Sequence, residues 1–120
     1  MRIVSMRFVF FEAPPFTRLL PSYLEDDEYR VLQWALMQRP EWGDLVPHTG
    51  GFRKLRWRDD RRGKGSRSGL RIIYYVLAAD RQIWLFTIYD KDEAQDLTPQ
   101  QCRLLRSAIH DELAARRGDL

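Results

Sequence analysis

The chain has 120 residues, 44% of them hydrophobic and 31% charged, with a formal net charge of +3. That length supports one modest core rather than two, and that balance excludes an intrinsically disordered tail. A single cysteine, Cys102, excludes an intrachain disulfide and a cysteine-based zinc site, and the isolated His48 and His110 do not suggest a metal cluster, so neither metal nor cofactor is expected.

The opening "MRIVSMRFVFFEAPPF" has an apolar run interrupted by Arg7 and closed by Glu12 and Pro14, without the small-residue cleavage site of a signal peptide. No later run approaches the roughly 20 apolar residues of a membrane helix, so a single domain spanning 1–120 in a reducing cytoplasm is expected, away from membranes. Both Met1 and Met6 can serve as the start. Met6 to Glu12 predicts a short buried strand ended by prolines. Phe16 to Leu20, fenced by Pro15 and Pro21, predicts one helical turn. A helix follows from about Asp26 to Met37, with acids at its N-terminus, Tyr29, Leu32 and Leu36 on one face, and Pro40 beyond its end.

The segment "EWGDLVPHTGG" reads as a loop. In "FRKLRWR" the alternation puts Leu55 and Trp57 on one strand face, shared with Arg53, and Lys54, Arg56 and Arg58 on the other. "DDRRGKGSRSG" predicts a mobile hairpin loop, and "LRIIYYVL" and "QIWLFTIYD" predict two central strands joined by "AADR". Thr98, Pro99 and Gln101 form an N-cap, a first-turn proline and a capping-box partner. The helix they open carries a buried stripe of Cys102, Leu105, Ala108 or Ile109, and Leu113, and stops at Gly118.

Between Arg53 and Arg71 stand nine basic residues against two acids, an excess of seven in a chain whose net charge is only +3. Such a run is often no more than a solvated face or a guard against edge aggregation. Here the strand cations share a face, the glycine-rich loop adds more, and Arg71 sits in a core-like strand where an arginine needs a ligand or partner. The combination predicts a cationic surface for a phosphate backbone. Tyr75 or Tyr74, Trp84 and Phe86 are assigned to the core, and Tyr89, at a strand end, to the site.

Metal-free cleavage of RNA requires a base for the 2′-hydroxyl, an acid for the leaving oxygen and cations for the developing phosphorane charge. Lys54, Lys91 and Tyr89 have ordinary pKa values near about 10, so each can act as base only where neighbouring positive charge favours its deprotonated form. His48, in a loop, and His110, in mid-helix, are weaker candidates. Asp90, Asp92, Glu93 and Asp96 are read as solvated or paired with the cations.

The motifs "GGFRKLR", "GLRIIYY" and "TIYDKDEAQDLT", with the order β-α-α-β-β-β-α, resemble the RelE superfamily of toxin-antitoxin toxins, and most closely its HigB-like branch, from Met6 to about Ala115. The resemblance implies a small α+β fold of the microbial-ribonuclease type, with an antiparallel-rich four-stranded sheet packed against N- and C-terminal helices. It implies an mRNA endoribonuclease that acts on the ribosome and inhibits translation. The partner it implies is a HigA-like helix-turn-helix antitoxin, through which alone operator DNA is contacted. Carried over, Lys54 and Arg56 contact the scissile region, Arg71 stabilises phosphate charge and Lys91 is a further site cation. RelE has an arginine and a tyrosine where this chain has Asp92 and Thr98, and Tyr89, two residues before Lys91, is a candidate substitute. Arg58, Arg61, Arg62, Lys64 and Arg67 are then expected to dock ribosomal RNA. The competing reading is a non-catalytic RNA- or ribosome-binding domain.

Overall fold

The computed structural model describes residues 7–63, 65, 69–92 and 96–118, with the side chain of Arg62 left aside. Lys64 and Arg67, two of the expected RNA contacts, lie outside the described residues, as does Met6.

The elements in chain order are β1 (Val9–Glu12), α1 (Pro14–Tyr23), α2 (Asp26–Gln38), β2 (Asp44–Leu45), β3 (Arg53–Trp57), β4 (Leu70–Leu77), β5 (Gln82–Asp90) and α3 (Pro99–Arg117). The strands form one sheet in the order β1-β5-β4-β3-β2. The three long strands are antiparallel neighbours, and only β1 runs parallel, alongside β5. The α+β class and the order of the long elements are as expected, but the sheet has five strands rather than four. The addition is β2, two residues that pair with Arg53 and Lys54. A strand this short has no alternation to read inside its loop.

Two further expectations are corrected. The first strand is an edge rather than a buried element, with Val9 57% and Phe11 41% exposed. Its apolar run was consistent with full burial, yet only one side of it meets another strand. The helix predicted as one turn spans ten residues. Pro14 and Pro15 occupy the first turn, where no amide hydrogen is required, and Pro21 removes one bond without ending the helix.

The sheet separates two cores. On one face Phe16 of α1 and Leu32 and Leu36 of α2 pack on Leu55, Leu70, Ile72, Tyr74, Ile83, Leu85 and Ile88. On the other, Leu105 and Ile109 of α3 pack on Phe52, Ile73 and Tyr89. The periodicity that left Ala108 or Ile109 open is settled for Ile109. A register shift between Ile73 and Tyr74 leaves Phe86 as the extra residue, so that both cores keep their apolar sets across the irregularity. Thr98 caps α3 with the expected reciprocal bonds to Gln101, and Gly118 ends it in the left-handed conformation.

Tyr74 fastens the loop after α2 to the sheet. Its ring is fully buried, its hydroxyl accepts from Gly43 N at 2.8 Å and donates to the Pro40 carbonyl at 2.8 Å. A Cβ at position 43 would lie 2.9 Å from the Tyr74 ring and 3.0 Å from the Lys54 backbone, so the approach requires glycine. Arg53 completes the tie, donating to the Gly43 carbonyl at 2.8 Å and the Glu41 carbonyl at 3.2 Å. Tyr74→Phe leaves the Gly43 amide without this partner and is expected to lower unfolding free energy by about 1–3 kcal/mol. Urea denaturation checks it, an unchanged midpoint being the contrary result.

Candidate functional site

The site is built on the α3 face of the sheet, towards the end where β3 finishes, β4 begins and β5 finishes. Arg56 of β3 lies opposite Arg71 of β4, which lies opposite Tyr89 of β5. With strands spaced about 4.8 Å apart, the three form a row straight across the sheet. Lys54, two residues before Arg56, shares its face. Of the residues predicted for catalysis, four are thereby brought together: Lys54, Arg56, Arg71 and Tyr89. Lys91 is exposed one step beyond β5, its amide extending the ladder to the Gly69 carbonyl at 3.1 Å.

Arg71 is only 3% exposed. Burial is the main cause holding its pKa below the ordinary guanidinium value, with Arg56 adding to the effect and Tyr89, Asp96 and Asp92 opposing it. One of its hydrogen bonds runs from Nη1 to the Leu70 carbonyl at 3.0 Å.

Asp96, read from sequence as a solvated or pairing acid, is the residue that joins the cluster. Its Oδ1 accepts from Lys54 Nζ at 3.1 Å and from the Tyr89 hydroxyl at 3.4 Å. The Lys54 hydrogen bond is the largest cause holding the Asp96 carboxyl below its usual range, Lys54's charge, Tyr89 and Arg71 acting in the same direction against desolvation. Tyr89 moves the opposite way. Its ring is in the α3 core at 8% exposure, and desolvation first, then the Asp96 charge and hydrogen bond, push the phenol up to about 12. The condition that would make Tyr89 a base is therefore not met: its surroundings favour the protonated form, which can donate a proton.

Two clefts open on either side of Lys54. One, of about 640 Å³, lies towards α3 and is lined by Lys54, Asp96, His48, Cys102, Arg103 and Arg106, among others. His48 reaches it from a loop where its φ is 66°, a left-handed conformation uncommon for a residue with a side chain. Thr49 shapes that loop, its buried hydroxyl donating to the Val46 carbonyl and accepting from Phe52 N. The other cleft, about 660 Å³, lies at the β2–β3 edge.

The loop cations divide. Arg58 is exposed, with its guanidinium 3.4 Å from Asp60 and 6.0 Å from the Trp57 ring centroid. Arg61 is committed to the fold: it donates to the fully buried Asp59 through Nε at 3.1 Å and Nη2 at 2.9 Å, donates to the Ser22 carbonyl, and lies 4.8 Å over Tyr23. That binds the hairpin loop to α1, and nothing in the charge pattern distinguished this arginine from its neighbours.

No family model matches the chain. Among solved structures, a mutant of the E. coli toxin RelE in the free state is similar to it, with a TM-score of 0.52 at 10% identity, covering 73% of this chain and 87% of that one. The fold is RelE-like. At that identity the likeness concerns the backbone arrangement, and the chemistry rests on the side chains described above. No described helix is long and apolar enough to cross a membrane.

Replacing Asp96 by Asn is expected to bring the Tyr89 titration down from about 12 towards its ordinary value of about 10, leaving the part due to burial. Nuclear magnetic resonance of carbon-labelled tyrosine through an alkaline titration follows that one phenol. An unmoved midpoint would show that carboxylate and phenol are not coupled.

Proposed function

We propose that this protein is a HigB-like toxin: an endoribonuclease that cleaves mRNA on the translating ribosome, without a metal, and is neutralised by a HigA-like helix-turn-helix antitoxin. The observation that carries the reading is the row of Arg56, Arg71 and Tyr89 beside Lys54 on the face of a RelE-like sheet. It gathers two guanidinium groups, an ammonium and a protonated phenol where a phosphodiester can lie across three strands.

In this mechanism the 2′-hydroxyl attacks the adjacent phosphorus, its proton passes to a base, and the P–O5′ bond breaks as the leaving oxygen takes a proton. The products are a 2′,3′-cyclic phosphate and a 5′-hydroxyl. Arg56 and Arg71 stabilise the charge that develops on the phosphorane oxygens, with Lys91 at the strand end as an outer cation. Tyr89, held protonated, donates to O5′ rather than accepting from the 2′-hydroxyl. Lys54 takes the base role as a neutral amine once the message has displaced Asp96. Arg58, with Arg62, Lys64 and Arg67 of the hairpin loop, docks ribosomal RNA, and Arg61 holds that loop to the body. Because the ribosome fixes the message in the site, positioning replaces part of the acid-base apparatus a free ribonuclease carries.

A specific observation favours a second reading, a non-catalytic RNA- or ribosome-binding protein. Both residues weighed as base, Lys54 and Tyr89, are engaged by one carboxylate. Mapping message 5′ ends in a reconstituted translation reaction separates the two. Ribosome-dependent cuts inside codons are expected, with about 10²–10³-fold slower cleavage for Arg71→Ala. Intact message on ribosomes that bind the wild-type protein would establish the non-catalytic reading.

A further inference from the structure

The cleft at the β2–β3 edge, about 660 Å³ in volume, is lined by Trp42 and Trp57 together with Lys54, Arg56 and Arg58, whose three positive charges outnumber the one acid there, Asp44. It is an open groove along the sheet edge. Trp42 is 41% exposed, although it stands on a loop held from below by the buried Tyr74 hydroxyl and from the side by Arg53. Its amide donates to the Arg39 carbonyl at 3.1 Å, which closes the turn. The indole is oriented by two neighbours: Trp57 meets it edge-on at 6.1 Å between centroids, and the Arg39 guanidinium lies 5.3 Å from its centroid.

An exposed tryptophan is usually an incidental part of the surface. Here the backbone beneath it is rigid, the ring is fixed by contacts, and a second ring and three cations line the same cleft. A partner that matches all of these needs a flat π-face and an adjoining negative charge. An apolar peptide would satisfy the rings and strand the cations. A bare phosphate would satisfy the cations and ignore the rings. An unpaired nucleotide satisfies both.

We infer that the Trp42 cleft is a subsite for one unpaired RNA base, stacked on the indole, while the backbone phosphate next to it runs over Lys54 and Arg56 towards Arg71. The inference rests on the proposed RNA substrate and adds to it the place of a nucleotide flanking the scissile bond. Lys54 lines both clefts, so a chain seated on Trp42 reaches the Asp96 cluster without leaving the cationic surface.

The test uses short RNA oligonucleotides with 2′-O-methyl groups throughout, which cannot be cleaved, and a matched set in which an abasic residue is stepped along the chain. Binding to the whole protein is read by fluorescence anisotropy over a salt series. Stacking on an aromatic is worth about 1–3 kcal/mol per base, so one abasic register is expected to weaken binding about 5–150-fold. Trp42→Ala is expected to lose the same factor with the intact oligonucleotide, to become indifferent to that abasic position, and to keep the salt slope. Trp42→Phe is expected to retain most of the affinity, which separates stacking from damage to the loop.

Equal binding of intact and abasic RNA by the wild-type protein would overturn the subsite and leave the RNA reading standing. So would an abasic penalty that persists in Trp42→Ala. Wild-type affinity in Trp42→Ala would overturn it as well. Failure of the wild-type protein to bind RNA either as oligonucleotide or on the ribosome would overturn both readings.

Discussion

A guanidinium that is 3% exposed has lost most of its hydration, and in Arg71 the loss is made worse by a second cation on the neighbouring strand. An arrangement of this kind persists only when surrounding dipoles and charges offset the cost. The Leu70 carbonyl accepts one bond, and the charges of Asp96 and Asp92 act in its favour. The sheet that surrounds it is rigid because both faces are covered, by α1 and α2 on one side and α3 on the other. Arg71 is thereby fixed in direction before anything binds. A preorganised cation of this sort is useful for stabilising charge that appears only during a reaction, since no part of the protein has to reorganise as the charge develops.

The same reasoning extends outward from the row. Loops beside β3 are tied down by polar groups inside the protein: Thr49 for the turn that carries His48, Tyr74 and Arg53 for the turn that carries Trp42, and Asp59 with Arg61 for the start of the hairpin loop. Each tie links a buried or half-buried side chain to backbone or to an opposite charge. At Gly69 the packing is close enough that a Cβ would meet the Trp57 carbonyl at 2.5 Å, which brings the far end of the loop against β3. The cationic surface is therefore carried by anchored segments near the sheet, an arrangement that limits the ordering entropy lost on binding.

The long elements were legible because each had a strong local signal. β4 and β5 are continuous runs of β-branched and aromatic residues, α3 opens on a complete capping box, and α2 shows acids at its start and an apolar stripe of Leu32 and Leu36. Lys54, Arg56 and Arg58 could be placed on one strand face from alternation, whereas Arg71 joins Arg56 only through the β3–β4 register. What could not be read depends on contacts between distant residues. Pro21 sits inside a helix that tertiary packing maintains, and β2 exists only as a partner for β3. Asp96 meets Lys54 across 42 positions, and no spacing rule connects them. Tyr89 was placed correctly at a strand end, but the direction of its titration follows from a carboxylate and a packed helix that sequence does not bring near it. Arg61 and Arg58 are equivalent as letters, and the difference between a buried and an exposed carboxylate partner gives them different work.

On the proposed function, Asp96 and an RNA phosphate are alternatives for the same cations. A carboxylate bonded to Lys54 partly balances a surface that would otherwise repel itself, at no large cost because Asp96 remains mostly solvated. In the proposed complex a phosphodiester brings a comparable charge and releases Asp96 to water. The displaced carboxylate then no longer accepts from Tyr89, and the phosphate takes its place as counter-ion to Lys54, Arg56 and Arg71. In the proposed reaction, substrate binding and the freeing of Lys54 and Tyr89 are coupled through the displacement of one side chain.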